Sequence, residues 1–213
     1  MPIKVVFLDC DGTLTKVRSS WEYLHRELNL WTENADAYQA LFREGKIGYH
    51  EFCKRDAMLW EGMRVSAVSE IVDRIPYQCG AKEAAWALKQ MGVITVIISS
   101  GLSLLVERVR GELSIDRAFS NELISKDGHL TGDIRINVEY DKKGVLVRGV
   151  LDGLGLCREE ACAVGDGDGD SAMFDEVSLP IGLDADGAGF LRRAGAHTVT
   201  ALADVVRLVR ERL

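Results

Sequence analysis

The sequence predicts an α/β fold, a doubly wound and mostly parallel sheet with a small α-helical unit inserted after the first strand, on three observations. The stretch Lys4-Val5-Val6-Phe7-Leu8-Asp9-Cys10-Asp11-Gly12-Thr13-Leu14-Thr15 is an apolar, β-branched run that ends abruptly in two carboxylates. That is the pattern of a buried parallel strand delivering acids to its carboxyl end. From Ala81 onward, strand-like and helical segments alternate, as in βαβ units. Between them, residues 16 to 75 show helical spacing and no strand signal.

In open α/β sheets ligands bind beyond the carboxyl ends of the strands, so Asp9 and Asp11 arrive where chemistry is expected. Period two keeps both side chains on one side if the strand runs that far, and Gly12 then turns the chain at low steric cost. Two adjacent carboxylates that stay ionised need a compensating charge, most simply a hard cation with oxygen ligands such as Mg²⁺. The plainer alternative is a pair of turn-capping Asp residues.

In the insertion, Ser19-x-x-Glu22 is a capping-box pattern followed by Trp21, Leu24 and Leu28 at helical spacing. Tyr38, Leu41 and Phe42 mark a second helix ending near Gly45; Tyr49, Phe52, Cys53, Leu59 and Trp60 mark a third. Val68, Ile71, Val72 and Ile75 mark a fourth that stops at Pro76. Aromatic residues are concentrated here, as a small helical core requires. The expected division is a core of residues 1–15 and 76–213 and a helical cap of residues 16–75.

Ala81 to Met91 reads as a helix closing at Gly92, Val93 to Ile98 as a strand and Leu102 to Leu113 as a helix. Ser99-Ser100-Gly101 falls at that strand–helix junction, either an anion site or an ordinary N-cap. Ala118 to Thr131 reads as a hairpin around Lys126-Asp127-Gly128, and Ile134 to Tyr140 as another strand. Lys142-Lys143-Gly144 opens a helix to about Leu154; Ala161–Val164 and Leu179–Leu183 are strands, and Ala201–Leu213 is a closing amphipathic helix.

A chain of 213 residues with 47% hydrophobic content can bury one large core with a smaller attachment. Its net charge of −7 argues against a nucleic-acid partner, which needs a broad basic surface, yet leaves room for a small anionic substrate. Apolar runs such as Val93 to Ile98 fall far short of the roughly 20 residues of a membrane span. The chain begins on a strand without a cleavable leader pattern, so a cytoplasmic protein is expected. Five dispersed cysteines without CxxC spacing read as reduced and structural.

A second acidic cluster, Gly165-Asp166-Gly167-Asp168-Gly169-Asp170, follows the strand ending at Val164. Glycine adds unfolded-state entropy and like charges repel, so this is a poor choice for stability alone. A calcium loop of the D-x-D-x-D-G type needs flanking helices and Glu at position twelve, whereas the twelfth residue from Asp166 is Val177.

With DxDGT at one strand end, Ser99 at another, Lys143 at a helix start and GDGxxD at a third strand end, the chain resembles the haloacid dehalogenase superfamily of aspartate-nucleophile phosphohydrolases. Within that superfamily it is similar to the phosphoserine phosphatases over nearly its whole length. The resemblance implies a Rossmann-like core and a Mg²⁺-dependent phosphomonoesterase acting on a small phosphorylated metabolite. Asp9 is then the nucleophile and Asp11 the general acid and base, which also separates phosphatases from dehalogenases. Ser99 and Lys143 join them in holding the phosphoryl oxygens, with Thr13, Ser100 and Gly101 around the substrate. The metal falls to Asp9, Asp166 and the backbone carbonyl of Asp11, with Asp170 behind.

Departures from the family pattern accompany the likeness. Val145 stands where Lys-Gly-Glu has its Glu, and Gly169 where GDGxND has its Asn. Arg18 stands where a substrate-gripping Glu is expected and Asp56 where an Arg is, so the signs at these two substrate-binding positions are reversed. A phosphotransferase or mutase of the same superfamily, or a regulatory protein that binds phosphate without turnover, remains an alternative.

Overall fold

A computed structural model describes residues 1–187 and 196–213. In chain order the elements are β1 (Val5–Leu8), α1 (Ser20–Glu27), α2 (Glu33–Arg43), α3 (Tyr49–Met58), α4 (Val65–Val72) and α5 (Ala81–Gln90). There follow β2 (Ile94–Leu102), α6 (Ser103–Leu113), β3 (Arg117–Lys126), β4 (His129–Arg135) and α7 (Lys143–Leu154). The chain closes with β5 (Ala161–Gly165), α8 (Ser171–Phe174), β6 (Leu179–Leu183), β7 (His197–Val199) and α9 (Leu202–Arg210).

The strands form one sheet in the order β4-β3-β2-β1-β5-β6-β7, parallel except for the β3–β4 hairpin. β1 lies between β2 and β5, with Val5 opposite Ile94 on one side and Ala161 on the other. From β1 the chain winds outward through β2 to β4, then returns to β1's other side as β5. That reversal opens a crevice at the carboxyl ends of β1 and β5. Every residue of β1 is buried, and alternation divides it between two cores. Val6 and Leu8 pack with α5, α6 and α9 on one face, Val5 and Phe7 with α7 and α8 on the other. Truncating the wholly buried Phe7 to alanine would cost about 3–5 kcal/mol.

Residues α1 to α4 form a helical layer between Thr15 and Tyr77, which pair across its base in a single antiparallel bridge. Ser19 caps α1 by accepting from the Glu22 N–H at 3.2 Å, as its capping pattern predicts. Trp21 and Trp60 stack at 5.4 Å in the layer's core, against the fully buried Leu24. The hairpin turn has Asp127 at φ 51° and Gly128 at φ 77°, the left-handed pair a tight two-residue connection requires.

Two expectations are corrected. Ile134 to Tyr140 is not a further strand: β4 ends at Arg135, and the buried Asn121 side chain competes for the backbone beyond it. Its amide oxygen accepts from the N–H groups of Asn137 and Val138, each at 2.9 Å, and its amide nitrogen donates to the Val138 carbonyl at 3.0 Å. Ser99, Ser100 and Gly101 lie inside β2, where the β3 register shifts between Ile98 and Leu102, rather than at a helix N-terminus. The short edge strand β7 gave no sequence signal; with three residues, only Val199 of them buried, it carries almost no hydrophobic pattern. All five cysteines are free, and no helix among the described residues is long and apolar enough to cross a membrane.

Candidate active site

Asp9 extends β1 by one residue, its N–H donating to the Val164 carbonyl at 2.9 Å. The chain then coils: the Cys10 carbonyl accepts from the N–H groups of Thr13, Leu14 and Thr15 at 3.3, 2.9 and 3.0 Å. The position of Asp11 is therefore set by a turn and not by strand pleating. Gly12 sits at φ 79° in that turn, and a Cβ there would also collide with the Asp166 carboxylate. Glycine is required twice over, once for backbone hand and once for the approach of the two acidic segments.

Asp166 follows β5, and Asp170 ends the short turn after it. The carboxylates of Asp9, Asp166 and Asp170 are buried, with ligand atoms all within 4.8 Å of one another. Lys143, first residue of α7 and itself buried, donates to Asp9 Oδ1 at 2.6 Å and Asp170 Oδ1 at 2.7 Å. The other Asp170 oxygen accepts from the Gly167 N–H at 3.1 Å, which closes the turn on itself.

Burial pushes Asp9 well above the usual carboxylate range; Lys143 opposes this, and the charges of Asp170 and Asp166 add to it. Burial and the Asp170 charge lift Asp166 to about 7, against the pull of Arg18. Burial would lower the Lys143 ammonium, but Asp170 and Asp9 together outweigh it and its pKa rises. The set thus holds excess buried negative charge, presented entirely by oxygen donors. That chemistry fits a hard divalent cation.

Asp11 is also raised by burial, while hydrogen bonds from Ser20 pull the other way. Asp11 Oδ2 takes both Ser20 donors, and Oδ1 is buried without a protein partner. Gly101 permits this packing: a Cβ there would lie 2.8 Å from Asp11 Oδ2 and 3.0 Å from both Ser20 Oγ and Ser99 Oγ. The buried Ser99 hydroxyl accepts from the Gly101 N–H at 3.0 Å.

The Ser100 carbonyl is held by Trp21 Nε1 at 3.2 Å, the Tyr49 hydroxyl at 3.0 Å and Asn121 Nδ2 at 3.0 Å, joining the helical layer to the sheet. Thr13 is buried, its hydroxyl 3.5 Å from Asp166 Oδ1. Arg18 reaches the same cluster, with NH1 2.8 Å from Asp166 and NH2 2.7 Å from Asp186. Asp56 lies instead inside the helical layer, 3.3 Å from His25 Nε2. The site thus gathers Asp9, Asp11, Thr13, Arg18, Ser99, Gly101, Lys143, Asp166 and Asp170, while Asp56 faces His25. Sequence reasoning missed Ser20 and Asn121. The signal for Ser20 was a second hydroxyl beside the cap residue, and for Asn121 an amide amid a strand-like run.

The haloacid dehalogenase-like hydrolase family matches residues 6–175 of this chain. A probable phosphoserine phosphatase of Schizosaccharomyces pombe is 34% identical over 185 residues, covering 85% of this chain and 61% of that protein. A phosphoserine phosphatase of Methanocaldococcus jannaschii is 30% identical over 179 residues, covering 84% of each chain. A solved structure described as a phospho-aspartyl intermediate analogue of phosphoserine phosphatase superposes with a TM-score of 0.79 at 25% identity, covering 98% of this chain and 99% of that one. The chain belongs to the haloacid dehalogenase-like hydrolases. In sequence and fold it is phosphoserine phosphatase-like.

Proposed function

We propose that the chain is a cytoplasmic, Mg²⁺-dependent phosphatase that hydrolyses a small phosphorylated metabolite through an aspartyl phosphate on Asp9, with residues 16–75 as a cap over the core. The observation that carries this reading is Lys143 bridging Asp9 and Asp170 inside a buried acidic cluster, beside a separately held Asp11. The relatives named as phosphoserine phosphatases support it, as do the free cysteines for a reducing compartment.

Lys143 occupies Asp9 Oδ1 and leaves Oδ2 to attack phosphorus. As the new Asp9–phosphorus bond forms, the bond to the leaving oxygen breaks, and protonated Asp11 gives that oxygen its proton. Burial favours the protonated acid needed here. The Ser20 donors favour the carboxylate needed next, when Asp11 takes a proton from the water that attacks the aspartyl phosphate and frees inorganic phosphate. Lys143 and the Ser99 hydroxyl hold the phosphoryl oxygens. Asp9, Asp166 and the Asp11 carbonyl would hold Mg²⁺ with Asp170 behind, and the ion would offset the charge of three carboxylates and a phosphate.

Arg18, at the edge of the acidic cluster, favours a substrate with a second anionic group such as a carboxylate. L-phosphoserine is one such compound, and an arginine at position 18 admits others. Phosphate release from a panel of phosphorylated metabolites, p-nitrophenyl phosphate included, tests the reading. Mg²⁺-dependent turnover that disappears in Asp9→Asn is expected; undiminished turnover in that variant would overturn it.

A further inference from the structure

We infer that Tyr140 is a positioning residue for the acidic turn 166–170, holding it from outside while Lys143 holds it from within, and coupling it to helix α2. The inference rests on the metal-dependent reading above. The turn alternates acids with Gly165, Gly167 and Gly169, residues that leave a backbone loose unless something fixes it.

Gly169 is buried but does not adopt a positive φ, so backbone conformation does not demand glycine there. Space does. A Cβ at 169 would lie 2.8 Å from Tyr140 Cε2, 3.1 Å from Cζ and 3.2 Å from Cδ2. Any side chain at 169 would displace the phenol ring, and the ring packs on bare backbone between Asp168 and Asp170.

Tyr140 lies in the turn three residues before Lys143, the first residue of α7. One segment therefore delivers an ammonium to Asp170 Oδ1 at 2.7 Å and an aromatic ring to the residue before it. Tyr140 also meets the edge of Phe42 in α2, with ring centroids 5.9 Å apart and planes at 84°. Phe42 in turn stacks on Phe52 at 5.0 Å and meets Tyr49 at 5.8 Å. A line of rings thus runs from the acidic turn through α2 and α3 to the Tyr49 hydroxyl on the Ser100 carbonyl.

Residues that orient metal ligands typically change metal affinity by about 10–100-fold when removed. The test measures the Mg²⁺ concentration that half-saturates the rise in Tm, with no substrate present, alongside kcat and KM. Tyr140→Ala should raise that midpoint about tenfold or more, and Tyr140→Phe, which keeps the ring, should stay near wild type. Gly169→Ala approaches the same contact from the other side and should raise the midpoint as well. The double variant Tyr140→Ala/Gly169→Ala should be no worse than Tyr140→Ala alone, because the new methyl then has room. A Tyr140→Ala midpoint within about twofold of wild type, or additive effects in the double variant, would overturn the inference. A wild-type protein whose Tm ignores Mg²⁺ would overturn the metal reading and this inference with it.

Discussion

Ser20 donates both its backbone N–H and its hydroxyl to Asp11 Oδ2, each at 2.7 Å. A residue at the first turn of α1 thereby fixes the acid that our mechanism uses in both steps. Asp11→Asn should lower kcat by at least ~10²-fold, the usual scale for a lost acid–base group. Ser20→Ala, which keeps the N–H, should cost less, about tenfold. Steady-state rates on an aryl phosphate check both, and near-normal turnover in Asp11→Asn would move the proton donor elsewhere.

Chelation should act through Asp9, Asp166 and Asp170. EDTA should abolish phosphate release and Mg²⁺ restore it, with Ca²⁺ a poor substitute because it favours looser, higher coordination. Full activity in EDTA would refute the cation assignment.

Lys143 neutralises two buried carboxylates, and removing one partner of a buried ion pair costs about 3–5 kcal/mol. Lys143→Met should therefore lower stability in metal-free buffer, with part of the loss recovered by Mg²⁺, and should cut turnover sharply. Denaturant titrations with and without the ion test this. Equal losses in both would mean that Lys143 and the cation do not share the same charge.

For Arg18→Ala, whose guanidinium also contacts Asp166, the expected result is a KM raised far more for substrates that carry a carboxylate than for an aryl phosphate without one. Equal effects on both would exclude Arg18 as a carboxylate clamp.

On the surface, Lys4 lies 2.7 Å from Glu160 and, together with the Cys157 N–H, holds its carboxyl down at about 2. Because the folded value lies below the ordinary 4.5, this contribution is present above that pH and lost as pH falls toward 2. Glu160→Gln should accordingly lower Tm slightly at pH 7 and narrow its gap to wild type in acid.

The core and its acids were legible because they use short-range signals. An apolar run ending at Asp9, a capping Ser19 and a glycine-spaced acidic turn declare themselves within a dozen residues. What stayed hidden depends on contacts between distant segments. Asn121 reaches across to Asn137 and Val138 and cancels a strand whose alternation from Ile134 looked convincing. Gly169 read as a missing amide, yet the ring of Tyr140 already occupies its space. Asp56 stood at an expected substrate position in the linear pattern, but folding turns it toward His25.

The helical layer enters and leaves through one narrow gate. Thr15 bridges Tyr77, the Lys16 N–H donates to the Pro76 carbonyl at 2.9 Å, and the Gln78 N–H donates to the Leu14 carbonyl at 2.9 Å. To the sheet, the whole excursion is equivalent to a tight turn between adjoining backbone points, and the entropy of closing such a loop grows only slowly with its length. A lineage could therefore exchange the roof while leaving the floor untouched, by recombination at two neighbouring junctions. Asp9 and Asp11 would keep their places beneath a different set of helices.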